Sequence, residues 1–583
     1  MMVESLSDRL SGQLATIYAD ILTEHEQQRW LGQFLDTMRL PANHVPPPAH
    51  RNLWSSEDIA LITYGDSVVT EGTAPLQVLG EVIARYFTSI ITWVHVLPFH
   101  PWTSDDGFAV MDYSSVNESL GDWGDITALS ESYRVMADVV LNHCSSRSAW
   151  FENFRQGCDP GAHYFYVPES DFDTSSVVRP RTSPLLMPID TVNGQRLVWC
   201  TFSADQVDFD FRNPAVLEEF LRIIRQQLDA GVRLFRLDAV AFIWKASGTT
   251  CVNQPQTHAI VRLLRTLVEC AEPQAVLITE TNLPNRENLS YFGNANEAHA
   301  VYNFSLPPLL LDCLLSGNSR YLSQWMMSMP PAQDGTTYFN FIASHDGIGL
   351  RPAEGLLTEA EIDRLIHTME SFGGLVSYRE TLMGDRKPYE INIALRDALG
   401  GTYAGADEYG LERFLCAHAV MLGLEGIPAF YIHSLLGTRN DHERVKHTGR
   451  NRSINRHQWD LNHLASRLGD CQSEQSMVVD QLSALIGLRQ RQPAFHPNAT
   501  QFTLRLKPEL FGFWRQSPDR RQSIFCVYNI SCQPQSLLLS ELNLILTDDW
   551  HDLVTGQRLS DVSSETLLGP YQVLWITNLP EAK

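Results

Sequence analysis

The chain has 583 residues, 44% hydrophobic and 10% aromatic, and a formal charge of −24 from 44 basic and 68 acidic side chains. This is enough material for more than one structural unit, and the acidic balance argues against a general affinity for nucleic acid or anionic membrane surfaces. Ten cysteines are scattered without a Cys-x-x-Cys pair or framework spacing, the usage expected of reduced thiols in the cytoplasm. Met1-Met-Val-Glu-Ser-Leu-Ser-Asp8 lacks the basic-then-apolar layout of a secretory leader, and no apolar stretch approaches the ~20 residues of a membrane span.

Leu6, Leu10, Leu14, Ile17, Ile21 and Leu22 recur at helical spacing. Residues 1–50 therefore read as a helical extension that ends at Pro41 and the run Pro46-Pro-Pro48 and packs on the main domain. From Asp58 short apolar runs alternate with helical stretches, the pattern of βα units. Strands are predicted over 59–64, 90–98, 135–141, 232–237, 275–279, 300–304, 338–343 and 427–432. Eight such strands predict an α/β fold, a (β/α)8 TIM barrel, and their spread over about 375 residues instead of ~250 requires insertions. The barrel is assigned to 51–144 and 206–490. Residues 145–205, rich in Pro, Ser, Arg and Thr, form an inserted B domain after the third strand, and 347–401 form a second, irregular insertion. Short alternating runs such as Leu510-Phe-Gly-Phe-Trp514 predict a C-terminal antiparallel β-sandwich over 497–583.

Asp238 closes the run Gly231-Val-Arg-Leu-Phe-Arg-Leu-Asp238, and Glu280 closes Ala275-Val-Leu-Ile-Thr-Glu280. Asp138-Val-Val-Leu-Asn-His143 and Phe341-Ile-Ala-Ser-His-Asp346 end in the same manner. Strand C-termini of a barrel open onto one face, so these residues converge although they are distant in sequence. Paired carboxylates on one rim suit glycoside chemistry. With retention, one attacks the anomeric carbon and the other protonates the leaving oxygen, at a separation of about 5–5.5 Å. A single strand-end carboxylate serves equally well as a helix cap or an arginine partner; the ordered set favours a site.

In order and spacing, segments 138–143, 231–238, 278–280 and 344–346 resemble the signature regions of the α-amylase superfamily, glycoside hydrolase family 13. Leu97-Pro-Phe-His-Pro-Trp-Thr-Ser-Asp-Asp-Gly-Phe108, Arg236-Leu-Asp-Ala-Val-Ala-Phe-Ile-Trp-Lys245, Ser344-His-Asp-Gly-Ile-Gly-Leu-Arg-Pro352 and Gly449-Arg-Asn-Arg-Ser-Ile-Asn-Arg456 narrow it to the sucrose-phosphorylase-like subfamily. The resemblance implies Asp238 as nucleophile, Glu280 as general acid/base and Asp346 as transition-state stabiliser, with Arg236 keeping Asp238 ionised. It places Asp105, Phe108, His143, Gln206, His345 and Arg452 around a glucosyl unit, Asp105 and Arg452 closing the pocket behind the sugar. It implies no cofactor and no metal. Asn142 and Asp208 stand where some amylases hold calcium, which this subfamily generally lacks, and the nineteen histidines contain no His-Glu-x-x-His pattern.

Phosphorolysis needs cationic groups beside the glucosyl ester and exclusion of water. Arg179, Arg181 and Arg351, in loops over the pocket, and Lys245, seven residues past the nucleophile, are the candidates for phosphate or an acidic acceptor. Phe242 and Asn282 stand where sucrose-specific members carry Tyr and His, which disfavours sucrose. The N-terminal extension, Thr281-Asn-Leu-Pro-Asn-Arg-Glu-Asn288 and Arg179-Pro-Arg-Thr-Ser-Pro184 resemble glucosylglycerate phosphorylases. The expected ligands are a small α-glucoside, 2-O-α-glucosylglycerate first, inorganic phosphate and α-glucose 1-phosphate, with no nucleic acid or membrane. Sucrose 6-phosphate, sucrose and glucosylglycerol are the alternative substrates. An α-glucoside hydrolase and a non-catalytic binding barrel are the alternative functions.

Overall fold

The computed structural model describes residues 5–380, 386–542, 544, 549–559, 561 and 564–579. The first four residues, part of the leader reading, lie outside them. Eight parallel strands close a barrel in chain order: β1 (Ala60–Thr63), β2 (Trp93–Val96), β3 (Arg134–Val140), β4 (Leu234–Asp238), β5 (Val276–Thr279), β6 (Ala300–Tyr302), β7 (Thr337–Phe341) and β8 (Ile427–Tyr431). Every predicted run contributes one strand, and β8 pairs with β1 to close the ring. The run 90–98 shrinks to four residues because Pro98, without an N–H, cannot extend the ladder.

Two helices precede the barrel. In α1 (Leu6–Tyr18) the Ser5 hydroxyl caps the N-terminus, and in α2 (Glu24–Met38) Thr23 and Glu26 form a capping box. Their apolar stripes face the barrel's outer helices α3 (Pro214–Asp229) and α4 (Pro255–Ala271). Leu6, Leu10, Leu14 and Ile17 are buried there, each worth roughly 1.5–3 kcal/mol. Gln13 Nε2 donates to Thr266 Oγ1 at 2.9 Å, and the Tyr18 hydroxyl donates to the Phe211 carbonyl at 3.1 Å. The extension is thereby tied to the barrel wall.

The excursion after β3 leaves and returns through one antiparallel clamp, in which His143 pairs with Asp208 and Ser145 with Gln206. Its tip is the hairpin Leu186–Thr191 with Gly194–Trp199. The excursion after β7, expected to be irregular, is organised. Ile348–Gly349, Leu375–Glu380 and Arg386–Asn392 form an antiparallel sheet beside the helix Glu359–Ser371, whose N-terminus is closed by a capping box of Thr358 and Glu361. The C-terminal region pairs Thr500–Thr503, Leu510–Gln516, Ser523–Asn529, Val573–Thr577, Trp550–Asp552 and Arg558–Leu559 in that order, each pair antiparallel. A two-stranded sheet, Gln535–Leu538 with Glu565–Leu568, packs over it around Phe525, Val527, Leu537, Leu568 and Ile576. No helix among the described residues is long and apolar enough to cross a membrane.

Candidate active site

Register assembles the centre of the site. Asp138 on β3 lies opposite Arg236 on β4, and Val140 lies opposite Asp238. Residues two apart on a strand share a face, so Arg236 and Asp238 point together into the barrel. The buried Arg236 guanidinium binds Asp138 and, at 2.7 Å, Asp238, while its Nη2 stands 3.9 Å from Glu280 Oε1. Asp138 is held from its other side by His95 Nε2 at 2.8 Å. One guanidinium therefore orients Asp138 and Asp238 together. Ala239, directly after Asp238, adopts the left-handed region (φ 51°), which turns its N–H onto Glu280 Oε2 at 3.3 Å.

The third carboxylate, Asp346, meets Arg452 Nη1 at 2.7 Å and lies 3.3 Å from His345 Nε2. Arg452 is itself gripped by Glu390 through two parallel bonds of 2.8 and 2.7 Å, and Asp105 Oδ1 lies 4.0 Å from it. The Asp105–Arg452 wall is thus present as a long contact, and its short anchor is Glu390. Gln206 Nε2 donates to Asp105 Oδ2 at 3.2 Å, and His143 Nε2 lies 3.1 Å from the Phe108 carbonyl. The Phe108 ring lies under the Arg236 guanidinium at 5.5 Å and stacks on His345 at 5.4 Å.

One pocket is lined by Asp238, Glu280, Asp346, Asp105, Phe108, His143, Gln206, Arg236, Arg452, Arg181 and Arg351 of the predicted set. His345 stands behind Phe108 and does not line it. Arg179 does not line it either. Lys245 is displaced from its predicted place. Its ammonium is buried between Asp208 Oδ2 at 2.8 Å and Asn142 Oδ1 at 3.0 Å, because the chain turns outward after β4 and carries the side chain behind the pocket wall. It supplies a positive charge at the two residues that hold calcium in some amylases. At the mouth, the Arg181 guanidinium lies 5.0 Å from the Tyr389 ring centre and 5.9 Å from that of Phe202. Asn282 Nδ2 donates to the Tyr389 hydroxyl at 3.4 Å, and Phe242 meets Phe202 edge to face.

Burial, and then the crowding of carboxylates, raises the proton affinity of both Asp238 and Glu280 against the pull of Arg236. Arg236 touches Asp238 but stands off Glu280, so of the two carboxylates it favours the charge on Asp238 more strongly. Burial also opposes the charge on Asp346, yet the guanidinium of Arg452, with those of Arg236 and Arg456, holds it well below the ordinary carboxylate range. Burial pulls His143 down to about 4 and His345 further, so both imidazoles are neutral. The site therefore presents Asp105, Asp238, Glu280 and Asp346 around a single pocket, with Asp346 held ionised.

A family model described as the alpha amylase catalytic domain matches residues 87–346. A glucosylglycerate phosphorylase from Spirochaeta thermophila is 40% identical over 580 residues, covering 98% of each chain. The chain belongs to the sucrose-phosphorylase-like branch of the α-amylase family. Within that branch, the glucosylglycerate phosphorylase of Escherichia coli is 36% identical across 98% of this chain and all of its own. The sucrose phosphorylase of Bifidobacterium adolescentis is 28% identical over 75% of this chain and 86% of its own. Among solved structures, the sucrose 6F-phosphate phosphorylase of Thermoanaerobacter thermosaccharolyticum superposes with a TM-score of 0.70 at 25% identity, over 81% of this chain and 94% of that one.

Against the α-amylase signature regions, sequence reasoning missed Glu390, Tyr389 and Phe202. Tyr389-Glu-Ile-Asn-Ile393 has an alternating pattern that signals a strand, but not which side meets the site. The strand pairing shifts register beside Tyr389, and this irregularity lets Glu390 reach Arg452 while Tyr389 lines the pocket.

Proposed function

We propose that the chain catalyses the reversible phosphorolysis of 2-O-α-glucosylglycerate, giving α-glucose 1-phosphate and glycerate with retention of configuration. The observation that carries this reading is the 40% identity, over 98% of both chains, to a phosphorylase named for that glucoside. The glucosylglycerol phosphorylase of Marinobacter adhaerens reaches 28% over 75% of this chain.

The reaction is a double displacement. An Asp238 carboxylate oxygen attacks the anomeric carbon, the bond from that carbon to the glycerate oxygen breaks, and the proton of Glu280 goes to the departing oxygen. A phosphate oxygen then attacks the anomeric carbon from the face the glycerate left, the bond from that carbon to Asp238 breaks to free the carboxylate, and Glu280 takes back a proton from the phosphate. Two inversions give net retention. Asp346, kept ionised beside Arg452, binds hydroxyls next to the reacting carbon, and Asp105, His143, Gln206 and Phe108 enclose the sugar. The charge arrangement supports these roles, since the attacking group is the carboxylate in contact with Arg236 and the proton donor is the one that is not.

Arg181 and Arg351 at the mouth supply the positive charge that phosphate and the glycerate carboxylate both require. We place the reaction in the cytoplasm, a location that ten unpaired cysteines support. The acceptor is tested in the synthetic direction. A charge-assisted bond to the glycerate carboxylate, about 1.5–3 kcal/mol, favours glycerate over neutral glycerol by roughly tenfold to a hundredfold in kcat/KM. Neutralising Arg181 or Arg351 should erase that preference. Equal use of both acceptors contradicts the assignment, as does exclusive use of fructose 6-phosphate.

A further inference from the structure

A second cavity opens beside the catalytic pocket and shares no lining residue with it. The turn Asp105–Gly107 separates them. Asp105 and Asp106 both have positive φ, 55° and 49°, and adjacent side chains diverge, Asp105 lining the catalytic pocket and Asp106 the second cavity. At Gly107 (φ 114°) a Cβ would stand 2.8 Å from the Pro98 carbonyl oxygen, so the turn admits no side chain there. The segment around the short helix Asn451–Asn455 serves both sides. Arg452 reaches the catalytic pocket, whereas Arg450 (2.7 Å) and Arg456 both pair with Asp106 on the other side.

Three shielded polar atoms on this second wall lack a hydrogen-bond partner among the described residues: the Tyr64 hydroxyl, Arg456 Nη2 and His433 Nε2. His433 and Arg456 are only 2% and 4% exposed, so bulk water does not readily satisfy them. Thr438 Oγ1 accepts from Trp459 Nε1 at 3.0 Å and lies 3.3 Å from His433 Nδ1. Thr438 can then donate to Nδ1, which leaves the imidazole proton on Nε2. In that arrangement Arg456 Nη2 and His433 Nε2 are donors, and the Tyr64 hydroxyl is able to donate. A wall of donors matches a ligand built of acceptors, which describes an oxyanion better than a sugar, whose hydroxyls also donate. Arg444 adds a third guanidinium to the lining, with Nη1 on Gln458 Oε1 at 2.6 Å. Of the two carboxylates present, Asp106 is already held by two arginines and Asp66 accepts from Gln458 Nε2 at 2.5 Å.

We propose that this cavity is a second, non-catalytic binding site for a small oxyanion such as inorganic phosphate, held by Arg456, Tyr64 and His433 and attracted by Arg444. The site is coupled to the catalytic pocket through short links. Arg456 Nε donates to the His345 carbonyl at 3.0 Å, one residue from Asp346, and the Arg456–Asp106 pair braces the turn that carries Asp105.

Selenate, an oxyanion with strong anomalous scattering, is the probe. Crystals of the full chain grown without phosphate or sulfate and soaked in selenate should show a peak within hydrogen-bonding reach of Arg456, Tyr64 and His433, separate from any in the catalytic pocket. In solution, calorimetric titration with selenate should resolve two sites in the parent. Arg444→Glu, outside the catalytic pocket, should weaken one of them at least tenfold while turnover at saturating substrates stays unchanged. Water density alone in the cavity, when selenate fills the catalytic pocket, overturns the proposal. A crystal peak with no second site in solution (an adventitious ion only) overturns it too, as does a two-site isotherm that Arg444→Glu leaves unaltered.

Discussion

Arg452 donates two parallel hydrogen bonds to Glu390, at 2.8 and 2.7 Å, while its remaining nitrogen holds Asp346 at 2.7 Å. The planar fork of a guanidinium gives Glu390 two parallel bonds and keeps a third nitrogen for Asp346, a geometry that a single ammonium nitrogen does not offer. Glu390 belongs to the sheet after β7, so the orientation of the third carboxylate depends on an element that is not part of the barrel.

Glu390→Gln should therefore act on catalysis as a positioning change. Losing the bidentate grip lets Arg452 rotate away from Asp346, and a misplacement on that scale costs up to about a hundredfold in rate. Phosphorolysis kinetics should show the loss mainly in kcat, with Glu390→Asp recovering part of it. A variant that is less heat-stable but turns over normally contradicts this role.

Glu280→Gln should slow transfer from natural glucosides by several orders of magnitude and transfer from glucosyl fluoride far less, because fluoride leaves without a proton. Parallel initial-rate measurements on the two donors decide it. Equal losses would remove Glu280 from the acid role.

The same variant carries a stability signature. The proton affinity of Glu280 is raised in the folded protein, first by burial, so its contribution to stability is full below the unfolded carboxylate value and is lost as pH rises through the folded one. A glutamine cannot ionise. The melting temperature of Glu280→Gln should therefore match the parent in acid, exceed it increasingly as pH rises from the ordinary carboxylate value to the raised one, and stay higher by a fixed amount above that. Thermal scans across pH that show a constant difference would contradict the burial argument.

Lys245→Met should separate structure from substrate binding. Removing one partner of a buried ion pair costs about 3–5 kcal/mol, because the charge of Asp208 is left behind. The melting temperature should fall by several degrees while the KM for phosphate stays close to the parent's. A large rise in that KM in a well-folded variant would return Lys245 to the acceptor site.

Lys245 also marks where sequence reasoning loses its grip. The eight strands were legible because buried parallel strands are short apolar runs between turn residues, and Arg236, Asp238, Glu280 and Asp346 were legible because they sit on or just beyond those strands, where barrel topology alone fixes the face. Once the chain leaves a strand, topology no longer fixes direction. Lys245, seven residues past Asp238, turned behind the wall, and His345 went behind Phe108 although its neighbour Asp346 lines the pocket. Glu390 and Tyr389 lie on a strand of the later sheet, and an irregular register beside Tyr389, invisible to a period-two pattern, decides their facing.

The phosphorylase reading rests most directly on what becomes of the glucosyl unit. Incubating the protein with 2-O-α-glucosylglycerate and inorganic phosphate, and following the anomeric signals by NMR, should show α-glucose 1-phosphate and glycerate appearing together in equal amounts. Free glucose should be negligible, and no turnover should occur with Asp238→Asn. Free glucose released at the same rate with or without phosphate would contradict the account and make the protein a hydrolase.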